Sequence, residues 1–467
     1  MATLLRVLTL TDEEKLIMNR LANVAKEREK PDDLNDKHYE GTKRLNQIGI
    51  AVPPELRHFE TIVAWPSTVV DEIERRLDVK SFILPGEQTA ATQLQEQWMA
   101  NNLESEAPIN HRETQIFGRG FVSVGTNPDD KEHPLIRVEP PRQMAALVSS
   151  ATRQMIGALR SYKDWDRKSK RTLYLPNSTI WLERGRNGWV VTGRDDHNLG
   201  RVPIVLFLNR KRAGDWSGRT EMASTIPLAD AAARSLTNLQ LAQEGLAVPS
   251  RYIFGVDPTK MVDSKTGKPI PAWEAYYTAM MAHSNEKATA GQFEAADLKN
   301  FTETVNHYGS LVSSVTGLPM RYFTNSTVNP AAEGAIRAEE SRLVKNVERK
   351  QTDNGDCWGW VMGLSERFRT GEWLDGNQIR TEWHDAGTPT VAQKTDAIQK
   401  LNGGKAVLSR EGSWDELCWS EARKARERAY FEKELRDEWA AMESTSDGDI
   451  PPVDDLDPDA DNDVEAA

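Results

Sequence analysis

Three short stretches carry residue types able to do chemistry. Asn127-Pro128-Asp129-Asp130-Lys131 sets two carboxylates beside a lysine, the donor types of a metal-dependent nuclease. Cleavage of that kind needs carboxylates converging on one cation from a rigid core. Here the flanking residues are turn formers between strand-like segments, which favours a solvated loop. Glu339-Glu340 is a second carboxylate pair. Neighbours on a helix point about 100° apart, so the two do not share a site. With Arg337, Arg342 and Lys345 nearby, they suit ion pairs on the surface or between subunits. Thr266-Gly267-Lys268-Pro269 has the Gly-Lys pair of a phosphate-binding loop, but no upstream glycine and a proline where Ser or Thr would hold magnesium. No H-E-x-x-H or G-x-S-x-G pattern occurs, and the eight histidines are scattered singly. The residues call for no catalytic site, no metal and no cofactor.

Composition narrows the class. The 467 residues suffice for several domains, and 38% apolar with 28% charged residues describes a polar globular chain. No apolar run is long enough to span a membrane, and Met1–Leu10 lacks the cleavage site of a secretory signal. Cys357 and Cys418 are too few for a disulfide framework and read as reduced thiols. The net charge is −12, but Glu443–Ala467 alone holds ten acids and no Lys or Arg, leaving about −2 for the rest. A chain that clamps DNA tightly needs a cationic excess to neutralise phosphates, and the body lacks one.

The elements follow from periodicity and breakers. Thr11–Glu29 is an amphipathic helix with Thr11 and Glu14 as a capping box, ended by Pro31. Further helical pieces are expected from Tyr39, over Thr68–Arg76 and over Thr89–Asn102. From Glu113 to Leu208 the texture is that of strands, forming a mostly antiparallel sheet on the N-terminal helices. Within it VPIVLFL (Val202–Leu208) reads as a buried strand. At Gly218 the helical period returns. Thr225–Leu246, with Pro227 in its first turn, would extend about 33 Å. Its apolar positions include Leu228, Leu236 and Leu239. Trp273–His283 is expected to be helical. A second long helix over Ala295–Thr316 carries Leu298, Phe301, Val305, Tyr308, Val312 and Val315 in alternating steps of three and four, a narrow seam for another helix. Gly317 and Pro319 stop it. Pro330 opens a further helix, where Gly334 marks either a bend or a later start. Helices over Val391–Leu401 and Ser420–Met442 precede an acidic tail expected to be disordered.

The stretch Gly317–Lys350, GLPMRYFTNSTVNPAAEGAIRAEESRLVKNVERK, joins one helix end to the next helix through a polar loop without lysine. Together with Leu199–Val205, Asn209-Arg210, Gly218–Glu221, Ile226–Ala231, Asn329–Arg337 and Trp383–Thr390, it resembles the portal proteins of Gram-positive siphoviruses. Each match alone is weak, but their order and spacing are jointly specific beyond Leu199. The N-terminal third matches mainly through Tyr39–Leu45 and Phe117–Gly120.

That resemblance implies an α+β portal fold. Residues 1–217 would form a mixed α/β wing, 218–247 and 295–317 a two-helix stem, and 248–294 an α/β clip inserted between them. Residues 318–384 would hold the tunnel loop and a long helix, 385–442 a helical crown, and 443–467 the tail. It further implies a homododecameric ring at the capsid vertex, assembled in the host cytoplasm, through which double-stranded DNA passes in packaging and ejection. The terminase large subunit, the head-tail adaptor, and major capsid and scaffold proteins would be partners. Arg321, Thr324, Asn325, Ser326, Thr327 and Asn329 would line the tunnel. Only Arg321 among them is basic, and a weakly charged rim touches phosphates without braking them. Leu228, Leu236, Leu239, Phe301, Val305, Tyr308 and Val312 would pack the stem. The alternatives are another phage head or connector protein, for which the length is unusually great, or the nuclease of the Asp129-Asp130-Lys131 cluster.

Overall fold

The computed structural model of the chain describes residues 9–43, 61–186, 188–247, 251–254, 289–292, 298–324, 333–387, 389–419 and 421–446. These fall into two compact units, Met1–Gly387 and Thr388–Ala467.

The first unit opens with α1 (Asp12–Tyr39), whose capping box is formed as expected: Thr11 Oγ1 accepts from the Glu14 amide at 3.2 Å, and Glu14 accepts from the Thr11 amide at 2.8 Å. The helix does not end at Pro31. Proline removes one backbone hydrogen bond from a helix interior. Here tertiary bonds hold the next turn: buried Asp32 takes two bonds from Arg119 (2.7 and 3.1 Å), with Arg28 3.5 Å away.

After α2 (Trp65–Glu74), β1 (Val79–Ile83) and α3 (Thr92–Ala100) comes α4 (Leu103–Phe117), where strands were expected from Glu113. Pro108 sits inside α4 and masks its period. Gly118, at φ +81°, closes the helix; a Cβ there would meet the backbone of Arg219 and Gly218 within 3 Å.

The strands form separate antiparallel sheets rather than one. β2 (Arg119–Gly125) lies between β3 (Leu135–Glu139) and β9 (Ile204–Leu208), so VPIVLFL ends in a largely buried strand, at the edge of this sheet. β4 (Met144–Val148), β5 (Met155–Lys163), β6 (Ser169–Tyr174), β7 (Thr179–Gly185) and β8 (Gly188–Asp195) form a five-stranded meander. Met18 and Leu21 of α1 pack on its inner face against Leu159, Leu173, Ile180 and Leu182.

Beyond the sheets, α5 (Ile226–Ala247), the pair β10 (Arg251–Phe254) and β11 (Thr289–Gln292), and α6 (Lys299–Thr316) follow in order. The helix expected at Trp273–His283 lies outside the described residues. α7 (Glu333–Thr370) is 38 residues long and supplies the central beam of the unit. Its Trp358 is fully buried, edge-on to Trp98 and Phe207 at 5.0 and 5.2 Å, and its Nε1 donates to His111 Nε2 at 2.9 Å. Burial holds the His111 imidazole down to a pKa of about 3, so it stays neutral and accepts. Finally β12 (Arg380–Trp383) pairs with β1 across some 300 residues of sequence.

Among the described residues the second unit holds α8 (Val391–Asn402), α9 (Arg410–Glu416) and α10 (Glu421–Ser446). Thr390 and Gln393 form a capping box on α8, and Trp414 stacks on Trp419 and Phe431. No described helix is long and apolar enough to cross a membrane.

Candidate functional site

The polar loop after α6 begins under close control. Gly317, in the left-handed region at φ +77°, caps α6 and donates to the Ser313 carbonyl at 2.8 Å. Pro319 then leads into a single 3₁₀ turn, Met320–Tyr322. Phe323 turns inward and meets the Trp65 ring edge-on at 6.2 Å. Thr324 Oγ1 donates back to the Met320 carbonyl at 3.1 Å.

The first turns of α7 hold the same segment from the other side. Glu339 accepts from the Met320 amide at 3.1 Å and from Arg321 at 3.5 Å. Glu340 bonds to Arg321 as well, and Arg342 Nη2 donates to the Ser314 carbonyl at 3.3 Å. The two glutamates are therefore partners of the loop within one chain. Arg321, the one basic residue of the expected tunnel set, has its charge matched by carboxylates. Thr324 is half-buried, while Asn325, Ser326, Thr327 and Asn329 lie outside the described residues.

Beneath the loop four helices share one core. Trp65, Val69 and Ile73 of α2, Ala229 and Ala232 of α5, Val312 of α6 and Leu343 and Val347 of α7 form it, with Leu318 and Phe323. Burial of each large apolar side chain contributes about 1.5–3 kcal/mol. Leu228, Val305 and Tyr308 pack against this cluster. Leu236, Leu239 and Phe301 lie farther along the two helices and are only half-buried, and Val315 is exposed. The tightest approach of α5 is made by alanines, a signal that a search for large apolar residues passes over. At Gly309 of α6 an added Cβ would lie 2.8 Å from the Phe323 carbonyl oxygen, so the helix touches the loop's backbone directly.

A buried ionic knot fixes the segment entering α5 to the middle of α7. Glu221 takes hydrogen bonds from Lys350 at 2.8 Å, from Arg210 at 2.8 and 3.0 Å, and from Asn209 at 3.0 Å. Burial alone would raise the Glu221 pKa, but Lys350 and Arg210 outweigh it and hold the carboxyl well below its ordinary range.

The other chemical candidates do not assemble. Asp129 and Asp130 occupy the β2–β3 turn, where the Asp129 backbone amide donates to Asn127 Oδ1 at 3.1 Å and the Asp130 carboxylate pairs with His133 at 2.6 Å. Among the described residues no cluster of His, Cys, Asp and Glu is arranged to hold a metal. Cys357 is buried and its thiol is pushed up to about 12, the opposite of a reactive thiolate.

A phage portal protein family of the SPP1 Gp6-like type matches residues 26–442, most of the chain. The chain belongs to the phage portal protein family. The portal protein of Mycobacterium phage D29 is 36% identical over 414 residues, covering 86% of this chain and 85% of that one. The portal protein of Mycobacterium phage L5 is 35% identical over the same length and shares. Among solved structures, a chain in the neck of an empty GTA particle computed with C6 symmetry aligns at a TM-score of 0.49 and 14% identity, covering 79% of this chain and 93% of that one. Portal proteins are structural components of the phage particle and not enzymes.

Proposed function

We propose that copies of this chain close into a ring at one vertex of the capsid, and that α5 and α6 of each copy stand side by side around a channel for double-stranded DNA. One observation carries this reading. Leu236, Leu239, Phe301 and Val315, on two adjacent long helices, remain half-buried or exposed in the single chain. A heterologous interface repeated by rotation covers such a face in every copy at once and closes a pore. Twelve copies are the number the family suggests.

In this assignment residues 218–247 and 295–317 are the stem, and 248–294 the clip facing the terminase large subunit and then the head-tail adaptor. Residues 1–217 and the long helix α7 make the wing, in contact with major capsid and scaffold proteins, and 385–442 make the crown. The loop over Met320–Asn329 reaches the channel. Its uncharged side chains touch phosphates weakly, and Arg321 is already engaged by Glu339 and Glu340. Each ionic contact to a phosphate adds salt-sensitive affinity, so a rim with its cation neutralised lets the duplex slide.

Electron microscopy of the purified protein tests the assembly. The expected result is rings with a central opening, with Met320–Asn329 on the inner wall. A species that stays monomeric under all conditions, procapsid assembly included, would refute it, as would that loop on the outer circumference.

A further inference from the structure

A cavity of about 490 Å³ lies where α4, the residues after β9, the end of α6 and the middle of α7 meet. Arg210, Lys211, Arg349 and Lys350 line it, with Asp353 as the only carboxylate in the lining. Glu221 neutralises part of this charge through Arg210 and Lys350, and Asp353 pairs with Lys211 at 3.1 Å. Four cations facing Glu221 and Asp353, with Asp356 also acting on Lys211, leave a cationic excess. Exposed Arg349, at the rim, makes no ion pair among the described residues.

A second, independent feature points to a ligand. Asn354 lines the same cavity and is only 7% exposed. Gln115 also lines it at 2% exposure, with neither Nε2 nor Oε1 partnered. A buried amide without a partner is costly, and native proteins supply one from the chain, from water or from a ligand. The terminal torsion of Gln is broad, so the Gln115 amide turns toward the cavity at little cost. Cationic excess, amide donors and a confined space together suit an anion, because charge interactions strengthen away from bulk water.

We propose that this cavity binds a small tetrahedral oxyanion of the phosphate class, held by Arg349 and by the amides of Asn354 and Gln115. The bound anion braces α4 against α7 beside the Glu221–Lys350 knot. This inference concerns the single chain and holds whether or not copies form a ring.

The test is a titration of the full chain with inorganic phosphate, at ionic strength matched with sodium chloride, followed by calorimetry and by thermal melting. Saturable binding with a raised melting temperature is expected for the wild type. Arg349→Ala should weaken binding at least tenfold, equivalent to about 1.4 kcal/mol. Asn354→Asp, which keeps the shape but adds a negative charge, should abolish it. Lys400→Ala, at a 75% exposed side chain in the other unit, should leave it intact. Equal stabilisation by chloride would show only a nonspecific ion effect, and unchanged binding in both cavity variants would place the phosphate elsewhere; either result overturns the proposal. Displacement of phosphate by a short DNA duplex would overturn it too, by assigning the site to a nucleic-acid backbone.

Discussion

Arg321, in the first turn of the polar loop, is hydrogen-bonded to Glu340 on α7, nineteen positions later in the chain. Arg76 reaches the other oxygen of the same carboxylate at 3.4 Å and also donates to the Ala386 carbonyl at 3.0 Å. Glu340 thus sits between two guanidinium groups of unequal burial, with Arg76 at 8% and Arg321 at 36% side-chain exposure. Glu340→Gln strands the buried Arg76 charge and should destabilise by about 1–3 kcal/mol. Arg321→Ala removes the more exposed partner and should cost about 1 kcal/mol or less. Denaturant unfolding of both variants and their double mutant measures the difference; equal costs would contradict this ranking.

Gly309 predicts a backbone effect on the same loop. In an open helix position Ala is better than Gly by about 1 kcal/mol. At Gly309 the added methyl would lie 2.8 Å from both the Phe323 carbonyl oxygen and Thr324 Cγ2. One neighbour is backbone and cannot swing aside. Gly309→Ala should therefore destabilise by about 1–3 kcal/mol despite its helix propensity. It should also speed protease cleavage near Thr324, while Gly334→Ala, with open space around it, should not.

Which features could be read from the residues has a physical pattern. The helices over Ile226–Ala247, Lys299–Thr316 and Val391–Asn402 carry regular apolar spacing and clean stop signals, and they appear within a few residues of expectation. The strand at Ile204–Leu208 is a continuous apolar run and was equally legible. α1 and α4 each contain a proline whose local cost is offset by distant contacts, such as Asp32 with Arg119, that no window of sequence displays. The β1–β12 pairing joins segments some 300 residues apart, beyond any local period. In the candidate site, the polar character of the loop was visible in its residue types. The partnership of Arg321 with Glu339 and Glu340 depends on how α7 folds back, which spacing does not fix.

The Glu221 knot predicts a large mutational cost. Lys350 is 10% exposed and Glu221 1% in side-chain terms. Removing one partner of a buried pair leaves an uncompensated charge and costs about 3–5 kcal/mol. Lys350→Met should fall at the lower end, because Arg210 and Asn209 still serve Glu221. The pH dependence has a definite sign. A carboxyl depressed in the folded state stabilises above its unfolded value near 4.5, and that contribution is lost as pH falls toward the folded value. Urea titrations of wild type and Lys350→Met should differ most above pH 5 and converge in acid.

Glu113 on α4 predicts the opposite slope. Burial raises its carboxyl to a pKa of about 7, with Asp36 adding to the shift and Arg112 and Arg142 opposing it. Below pH 4.5 both the folded and unfolded chains hold this proton, so the group contributes no pH dependence. Between 4.5 and 7 the unfolded chain releases the proton first, and stability falls as pH rises. Above 7 both states are ionised and the penalty is constant. Its ceiling is about 3 kcal/mol, and solvent screening of the partly exposed side chain lowers that. Glu113→Gln removes the proton equilibrium while keeping the shape. The variant should match wild type at pH 4.5, gain steadily to pH 7, and hold that advantage at pH 8. Glu74 and Asp78, also raised by burial, titrate alike in both proteins and cancel in the comparison. A stability difference that does not change between pH 4.5 and 8 would show that Glu113 is ionised in the folded chain, with Arg112 and Arg142 outweighing its burial.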